Sequence, residues 1–228
     1  MDIKKALKEY LLTEKLLFGI DEYPVPNIDG GLSLESPLDK LKKEVLKCKK
    51  CPLGGTRLNP VFGEGNPKAK LMFVGEGPGY EEDHQGRPFV GRAGELLTKI
   101  IESINLKRED VYITNIVKCH PMIDPSNPEK RGNDRAPNNE EITKCINYLK
   151  QQIEIIKPKI ICALGSVAAK TLLRSDKGIK ELRGKKYKYN DETIIIPTYH
   201  PAALLRNPSL KKETWQDIKL IRELLKKL

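Results

Sequence analysis

The chain has 228 residues, with 41 Lys and Arg against 31 Asp and Glu and a formal net charge of +10. That length makes one domain, or two small ones, and buries a core without covalent staples. The longest near-apolar run, Ile160 to Ala169, is far short of the ~20 residues of a membrane span, and the charged opening MDIKKALKEY lacks the apolar stretch of a secretory leader, so a membrane or secreted protein is not expected. A hydrophobic fraction of 39% is too high for a disordered tail. Lys and Glu are both abundant, so much of the charge is solvated, paired surface. The positive surplus still points to a polyanionic partner.

In chain order, residues 2–18 carry Ile3, Leu7, Tyr10, Leu11, Leu17 and Phe18 at helical spacing, and Gly19 suits the end of that helix. The turn-rich stretch DEYPVPNIDGGLSLESP follows. Residues 1–36 therefore read as an N-terminal helix and a Pro- and Gly-containing linker, with a helix face on offer to a partner protein. Residues 37–228 read as the main domain. Its first helix starts at Ser36, with Pro37 at the first position and Asp39 at the capping-box position, and it delivers Cys48.

Strands and helices then alternate. KLMFVG (70–75), VYITNIV (111–117), KIICAL (159–164) and the segment ETIIIPTYHP (192–201) supply four apolar strands. Between them GRAGELLTKIIES carries Leu96, Leu97, Ile100, Ile101 and Ile104 on one helical face. NNEEITKCINYLKQQIEII (138–156) is a helix, Gly165-Ser166 opens another, and a basic helix from about Lys211 closes the chain. Short apolar strands separated by helices predict an α/β fold, a mainly parallel four-stranded sheet covered on both faces.

In such sheets the working site lies beyond the carboxyl ends of the strands. Here the four strands end in GEGPGYEED, in Asn115 and Cys119, in Gly165-Ser166, and in His200-Pro201. The GEGPG loop (75–79) lets a backbone approach a ligand closely, but it is neither a dinucleotide fingerprint nor a P-loop. A tight structural turn is the plainer alternative. Phe89, between glycines and arginines, suits stacking on a nucleobase or simple anchoring of its loop.

Cys48, Cys51, Cys119 and Cys145 offer four thiols with a single C-x-x-C knuckle. Zinc, a four-thiolate iron–sulfur cluster and free thiols all remain open on spacing. Cys162, inside the apolar run KIICALG, reads as a core residue.

Taken together, GEGPGYEEDHQGRPFVGRAGELL (75–97), TNIVKC (114–119), HPAALLRNP (200–208) and the Cys48/Cys51 knuckle resemble the family 4 uracil-DNA glycosylases, iron–sulfur enzymes of bacteria and archaea. The resemblance runs from about residue 37 to the C-terminus. It implies a three-layer α/β/α sandwich and a [4Fe-4S] cluster on Cys48, Cys51, Cys119 and Cys145. It also implies hydrolysis of the N-glycosidic bond of uracil in single- or double-stranded DNA, by a monomeric, cytoplasmic, prokaryotic repair enzyme.

By the same resemblance, Gly75, Glu76 and Gly77 contact the base, Phe89 stacks on it, Asn115 reads its N3–H and O4, and His200 faces its O2. Leu204 or Leu205 fills the space left in the duplex, while Arg206 and Ser166 meet phosphate. A family 1 enzyme holds its water with an aspartate where this chain has Gly77. That role is therefore expected first of Glu76 and then of Glu82, and Gly77→Asp is expected to preserve or raise activity. The stretch 120–138 is longer than usual, and its only histidine is His120. Ordinary hydrolysis is expected rather than covalent trapping. The competing expectations are a non-enzymatic iron–sulfur or zinc protein that binds nucleic acid, and a glycosylase of broader deaminated-base specificity.

Overall fold

The β-branched, apolar runs of the sequence become the middle of one sheet. In the computed structural model, which describes residues 35–228 together with Glu9 and Thr13, β2 (Leu71–Gly75), β3 (Tyr112–Asn115), β4 (Ile160–Leu164) and β6 (Ile194–Thr198) are mutually parallel. The sheet has six strands in the order β1-β3-β2-β4-β6-β5. The expected four form its centre. β1 (Glu64–Gly65) and β5 (Tyr187–Lys188) add antiparallel edges. Two-residue strands are too short to show a period of two, which is why the sequence hides them. The helix expected over 2–18 and the linker after it lie outside the described residues, apart from Glu9 and Thr13. The chain divides at Ser36–Pro37.

Alternation along the strands sorts the core into two layers. Met72, Val74, Tyr112, Ile161, Ala163 and Ile195 face one side. There they meet Leu41 and Val45 of α1 (Pro37–Lys47), Leu149 and Ile153 of α5 (Asn139–Ile156), and Ala168 and Ala169 of α6 (Gly165–Leu173). Leu71, Phe73, Ile113, Ile160, Cys162 and Ile196 face the other side. These pack on Leu97 and Ile101 of α4 (Arg92–Glu102) and on Ile218 and Ile221 of α9 (Lys211–Leu225). Each Leu, Ile, Val, Phe or Met among them, withdrawn from water, contributes roughly 1.5–3 kcal/mol. Helices cover both faces of a parallel sheet, the three-layer sandwich expected.

The helix ends obey local chemistry. Asn138 caps α5 by accepting the Glu141 N–H at 2.9 Å, while Glu141 accepts the Asn138 N–H at 2.8 Å, a complete capping box. Four further short helices are α2 (Leu53–Thr56), α3 (Tyr80–Gln85), α7 (Ile179–Leu182) and α8 (Pro201–Arg206). α3 and α8 follow the carboxyl ends of β2 and β6. Among the described residues, no helix is long and apolar enough to cross a membrane.

Candidate active site

A cavity of about 590 Å³ opens at the carboxyl edge of the parallel strands. Glu76 and Gly77 line it after β2, Asn115 at the end of β3, Ser166 at the start of α6, and His200, Ala203 and Arg206 after β6. All four strand ends therefore meet at one place. The size suits a nucleobase with its sugar rather than a whole duplex.

Asn115 is buried, and its Oδ1 has no hydrogen-bond partner. A buried orphan acceptor inside a cavity is primed for a donor brought by a ligand. Gly75 makes room for it: a Cβ there would collide with Asn115 Oδ1 and stand 2.5 Å from Phe89 Cζ. Gly75, Asn115 and the Phe89 ring thus form one surface. Phe89 has left-handed backbone (φ 53°), a strained state for a non-glycine residue. Its loop is over-determined: Glu82 accepts the Val90 and Gly91 N–H groups at 3.1 and 3.4 Å, and Gly94 leaves space for the Phe89 carbonyl.

His200 caps α8. Its Nδ1 accepts the Ala202 N–H at 3.2 Å, so Nε2 carries the proton of the neutral ring. Burial, with Arg206 adding to it, drives the imidazole pKa down to about 4. The ring lies 5.6 Å from that of Phe89, centroid to centroid. Gly165 permits this approach, since a Cβ on it would stand 2.9 Å from His200 Cβ. Neutral His200 is thus a fixed N–H donor at the cavity wall.

The acidic residues separate into different roles. Glu76 lines the cavity, and burial raises its carboxyl above the usual range. Glu82 also lines the cavity, but its Oε2 accepts the Gly79 N–H at 3.1 Å while Oε1 holds the Phe89 loop. Both of its oxygens accept main-chain N–H groups, so Glu82 ties the Gly79 turn to the Phe89 loop. Gly77 is closely packed. A Cβ there would stand 2.7 Å from Val117 Cγ2, so an aspartate at 77 forces Val117 to move.

Ser166 and Arg206 line the cavity. Of the two leucines, Leu204 is buried and Leu205 is 39% exposed. Leu204 is therefore a core anchor of α8, not a wedge: successive helical positions face different sides, and 204 faces inward.

Cys48, Cys51, Cys119 and Cys145 line a second, small pocket, together with Arg57, Lys118 and Tyr148. None of the four forms a disulfide. The described residues contain no closed group of three His, Cys, Asp or Glu ligands. The donor set nonetheless suits an anionic cluster. Arg57 Nη1 donates to Cys119 Sγ at 2.9 Å, and the Lys118 N–H donates to Cys145 Sγ at 3.3 Å. Burial, with the neighbouring cysteines adding to it, outweighs the opposing effect of Arg57 and pushes the Cys119 thiol up to about 12, and burial likewise raises that of Cys145 against Lys118, so thiolates in this pocket require further positive charge. Cys162 lies apart, fully buried in the sheet, with its thiol pushed up by burial.

Three features escaped the sequence reading. Lys118 is fully buried. His120, also buried, contacts Asp134 at 2.6 Å and Asp83 at 3.5 Å, and these carboxylates raise its pKa to about 9 against the opposing effect of burial. Pro121 and residues 134–137 build one wall of the cavity, so the long 120–138 stretch is part of the site. For His120 and the cavity wall the signal was only the length of that stretch, since ion pairs between distant segments leave no local pattern, and Lys118 left no signal.

Comparison with known proteins agrees with this architecture. The family model described as the Uracil DNA glycosylase superfamily matches residues 62–219, which include the cavity residues from Glu76 to Arg206. The chain is 50% identical over 195 residues to the type-4 uracil-DNA glycosylase of Sulfurisphaera tokodaii, covering 82% of this chain and 84% of that protein. It is 43% identical to the type-4 uracil-DNA glycosylases of Archaeoglobus fulgidus, covering 82% of this chain and 92% of that one, and of Thermotoga maritima, covering 85% and 97%. The chain belongs to the uracil DNA glycosylase superfamily, in its type-4 branch.

Proposed function

We propose that residues 37–228 form a monomeric, cytoplasmic DNA-repair glycosylase that hydrolyses the bond between uracil and deoxyribose and leaves an abasic site. The observation that carries this reading is the orphan Asn115 Oδ1 beside a neutral His200, in a cavity too small for stacked DNA. A base must leave the duplex to enter it. Uracil stacks on Phe89, Asn115 Oδ1 accepts N3–H, and Asn115 Nδ2 donates to O4. His200 Nε2–H donates to O2. The main chain at Gly75 and Gly77 borders the base.

The C1′–N1 bond breaks with its electron pair going to uracil, and negative charge gathers on O2. The hydrogen bond from His200 strengthens as that charge grows, which lowers the barrier. Water bonds to C1′, and its proton passes to the Glu76 carboxylate. Arg206 and Ser166 hold flanking phosphates, and Leu205 fills the vacated stack.

Cys48, Cys51, Cys119 and Cys145 hold a [4Fe-4S] cluster in this reading, supported by the shared pocket and its N–H donors to sulfur. The cluster, when bound, ties the segment after α1 to α5. The segment 1–36 lies outside the stretch matched by the family model, and in this reading it binds a partner protein. Release of free uracil from a single-stranded oligonucleotide with one deoxyuridine tests the function, with the matching deoxycytidine oligonucleotide as control. Failure of a folded, iron-loaded protein to release uracil overturns the reading.

A further inference from the structure

Lys118 lies where the cysteine pocket and the uracil-reading residue meet. All three Nζ protons are used, on Thr114 Oγ1 at 2.6 Å, the Asn115 carbonyl at 2.7 Å and Gln152 Oε1 at 2.7 Å. Its main chain is held too: the N–H donates to Cys145 Sγ at 3.3 Å, and the carbonyl accepts the Val61 N–H at 2.7 Å. Among the described residues no carboxylate lies within ion-pair reach of this ammonium. Its acceptors are neutral, and it lines the pocket of the four thiols. Burial pulls the Lys118 amine down to about 7, and a buried amino group without a carboxylate partner costs the fold stability.

We propose that Lys118 is a positioning residue for base recognition: its ammonium fixes the Asn115 main chain against α5 and Thr114, and so aims the Asn115 carboxamide into the cavity. The proposal rests on the reading of Asn115 as the uracil-binding group. Asn115 ends β3, and the chain beyond it no longer follows the sheet. The Ile116 and Val117 N–H groups bond back to the Gly75 and Glu76 carbonyls at 2.9 and 3.2 Å, which fixes the donors of that turn. The Asn115 carbonyl is left for Lys118. Without the ammonium, that buried carbonyl has lost its donor, and the peptide carrying the carboxamide is free to tilt. Of the other two acceptors, Thr114 Oγ1 keeps its own single proton engaged, on the Phe62 carbonyl at 3.0 Å or on Gln152 Oε1 at 3.2 Å. Of the three acceptors, only the Asn115 carbonyl belongs to the peptide that carries the reading carboxamide. Because the Lys118 N–H also meets Cys145, base recognition and the cysteine pocket share one residue.

The test is a double-mutant cycle of Lys118→Met and Asn115→Ala in the iron-loaded protein, read by single-turnover uracil release. It is accompanied by calorimetric binding of free uracil, affinity for uracil-free DNA and iron content. A displaced reading group typically lowers the rate by about 10–10²-fold. Lys118→Met is expected to lower uracil release and free-uracil affinity by about that factor, with iron content and affinity for uracil-free DNA retained. Adding it to Asn115→Ala is expected to produce little further loss. Fully additive losses, or normal uracil affinity in folded Lys118→Met, overturn the positioning role. An Asn115→Ala variant with normal uracil release instead overturns the underlying reading of Asn115. If Lys118→Met does not accumulate folded, Lys118→Gln enters the same cycle under the same criteria.

Discussion

His200 Nδ1 accepts the Ala202 N–H at 3.2 Å, and this one bond decides what the histidine can do. The ring cannot also carry a proton on Nδ1 without breaking the cap of α8. Nε2 is therefore the donor, and the ring is neutral over the whole physiological range, with its pKa driven down to about 4 by burial. Removing one preorganised donor to a developing oxyanion lowers rates by about 10²–10³. His200→Ala should fall in that range in single-turnover uracil release, with DNA affinity retained because phosphate contacts dominate it. Unchanged release would remove His200 from the mechanism.

On the proposed mechanism, the acid limb of the pH–rate profile should belong to Glu76. Burial raises its carboxyl above the ordinary 4.5, and only the deprotonated form accepts a proton from water. Activity should be full well above that raised pKa and fall as pH drops through it, before His200 protonates near 4. In Glu76→Gln the rate should be lower and the limb should move down toward the His200 value. The stability signs differ. A carboxyl with a raised pKa favours the native state more at low pH, whereas His200, depressed from 6.5 to about 4, weakens it as pH falls through that window. A pH series of single-turnover rates beside thermal melts separates the two effects. An acid limb untouched by Glu76→Gln would assign it elsewhere.

The cysteines offer a test with a colour readout. Cys145→Ala should lose iron and visible absorption, and with them thermal stability, because metal binding and folding are coupled. Cys162→Ala should keep the colour, since Cys162 packs between strands on the α4 and α9 side of the sheet, away from the pocket of the other four thiols. A bleached Cys162→Ala beside a brown Cys145→Ala would overturn the ligand assignment.

Much of this was legible because local chemistry carried it. The four central strands are continuous apolar runs, and their ends named Asn115, His200 and the GEGPG loop through topology alone. What could not be read depends on direction and distance. Leu204 and Leu205 are chemically identical, and only the rotation of α8 separates a core anchor from an exposed side chain. Glu76 and Glu82 both line the cavity, but the hydrogen bonds of Glu82 to Gly79 and Val90 depend on how α3 folds back toward residue 90. Gly77 looked like a vacancy for an aspartate until Val117 was found against it.

The leucine pair makes a prediction of its own. Leu205→Ala should reduce uracil release from duplex DNA more than from single strands, since only a duplex leaves a gap to fill. Leu204→Ala removes a buried side chain and should destabilise the fold by about 2–5 kcal/mol, with no change in the ratio between the two substrates. The ratio of duplex to single-strand rates, set beside a denaturation curve for each variant, decides the matter. A Leu204→Ala protein of normal stability with a lost duplex preference would reverse the assignment.

Base choice should follow the Asn115 carboxamide. Uracil presents a donor at N3 and an acceptor at O4, whereas cytosine presents an acceptor at N3 and a donor at N4. An Oδ1 held without a protein partner satisfies N3–H of uracil and meets only a lone pair on cytosine. A site built on such bonds rejects the wrong base because its buried groups stay unpaired. Asn115→Asp exchanges the amide donor for a second acceptor. Facing uracil O4 the carboxylate is repelled, and facing cytosine N4 it gains a partner. Uracil release should therefore fall by about a hundredfold or more. Any new release should be of cytosine. The substitution is nearly isosteric, so the contact of Gly75 with the side chain at 115 and the grip of Lys118 on the main-chain carbonyl should both persist. Retained iron and a native melt would show this. A folded, brown Asn115→Asp protein that still released uracil at the normal rate and ignored cytosine would mean that residue 115 does not read the base.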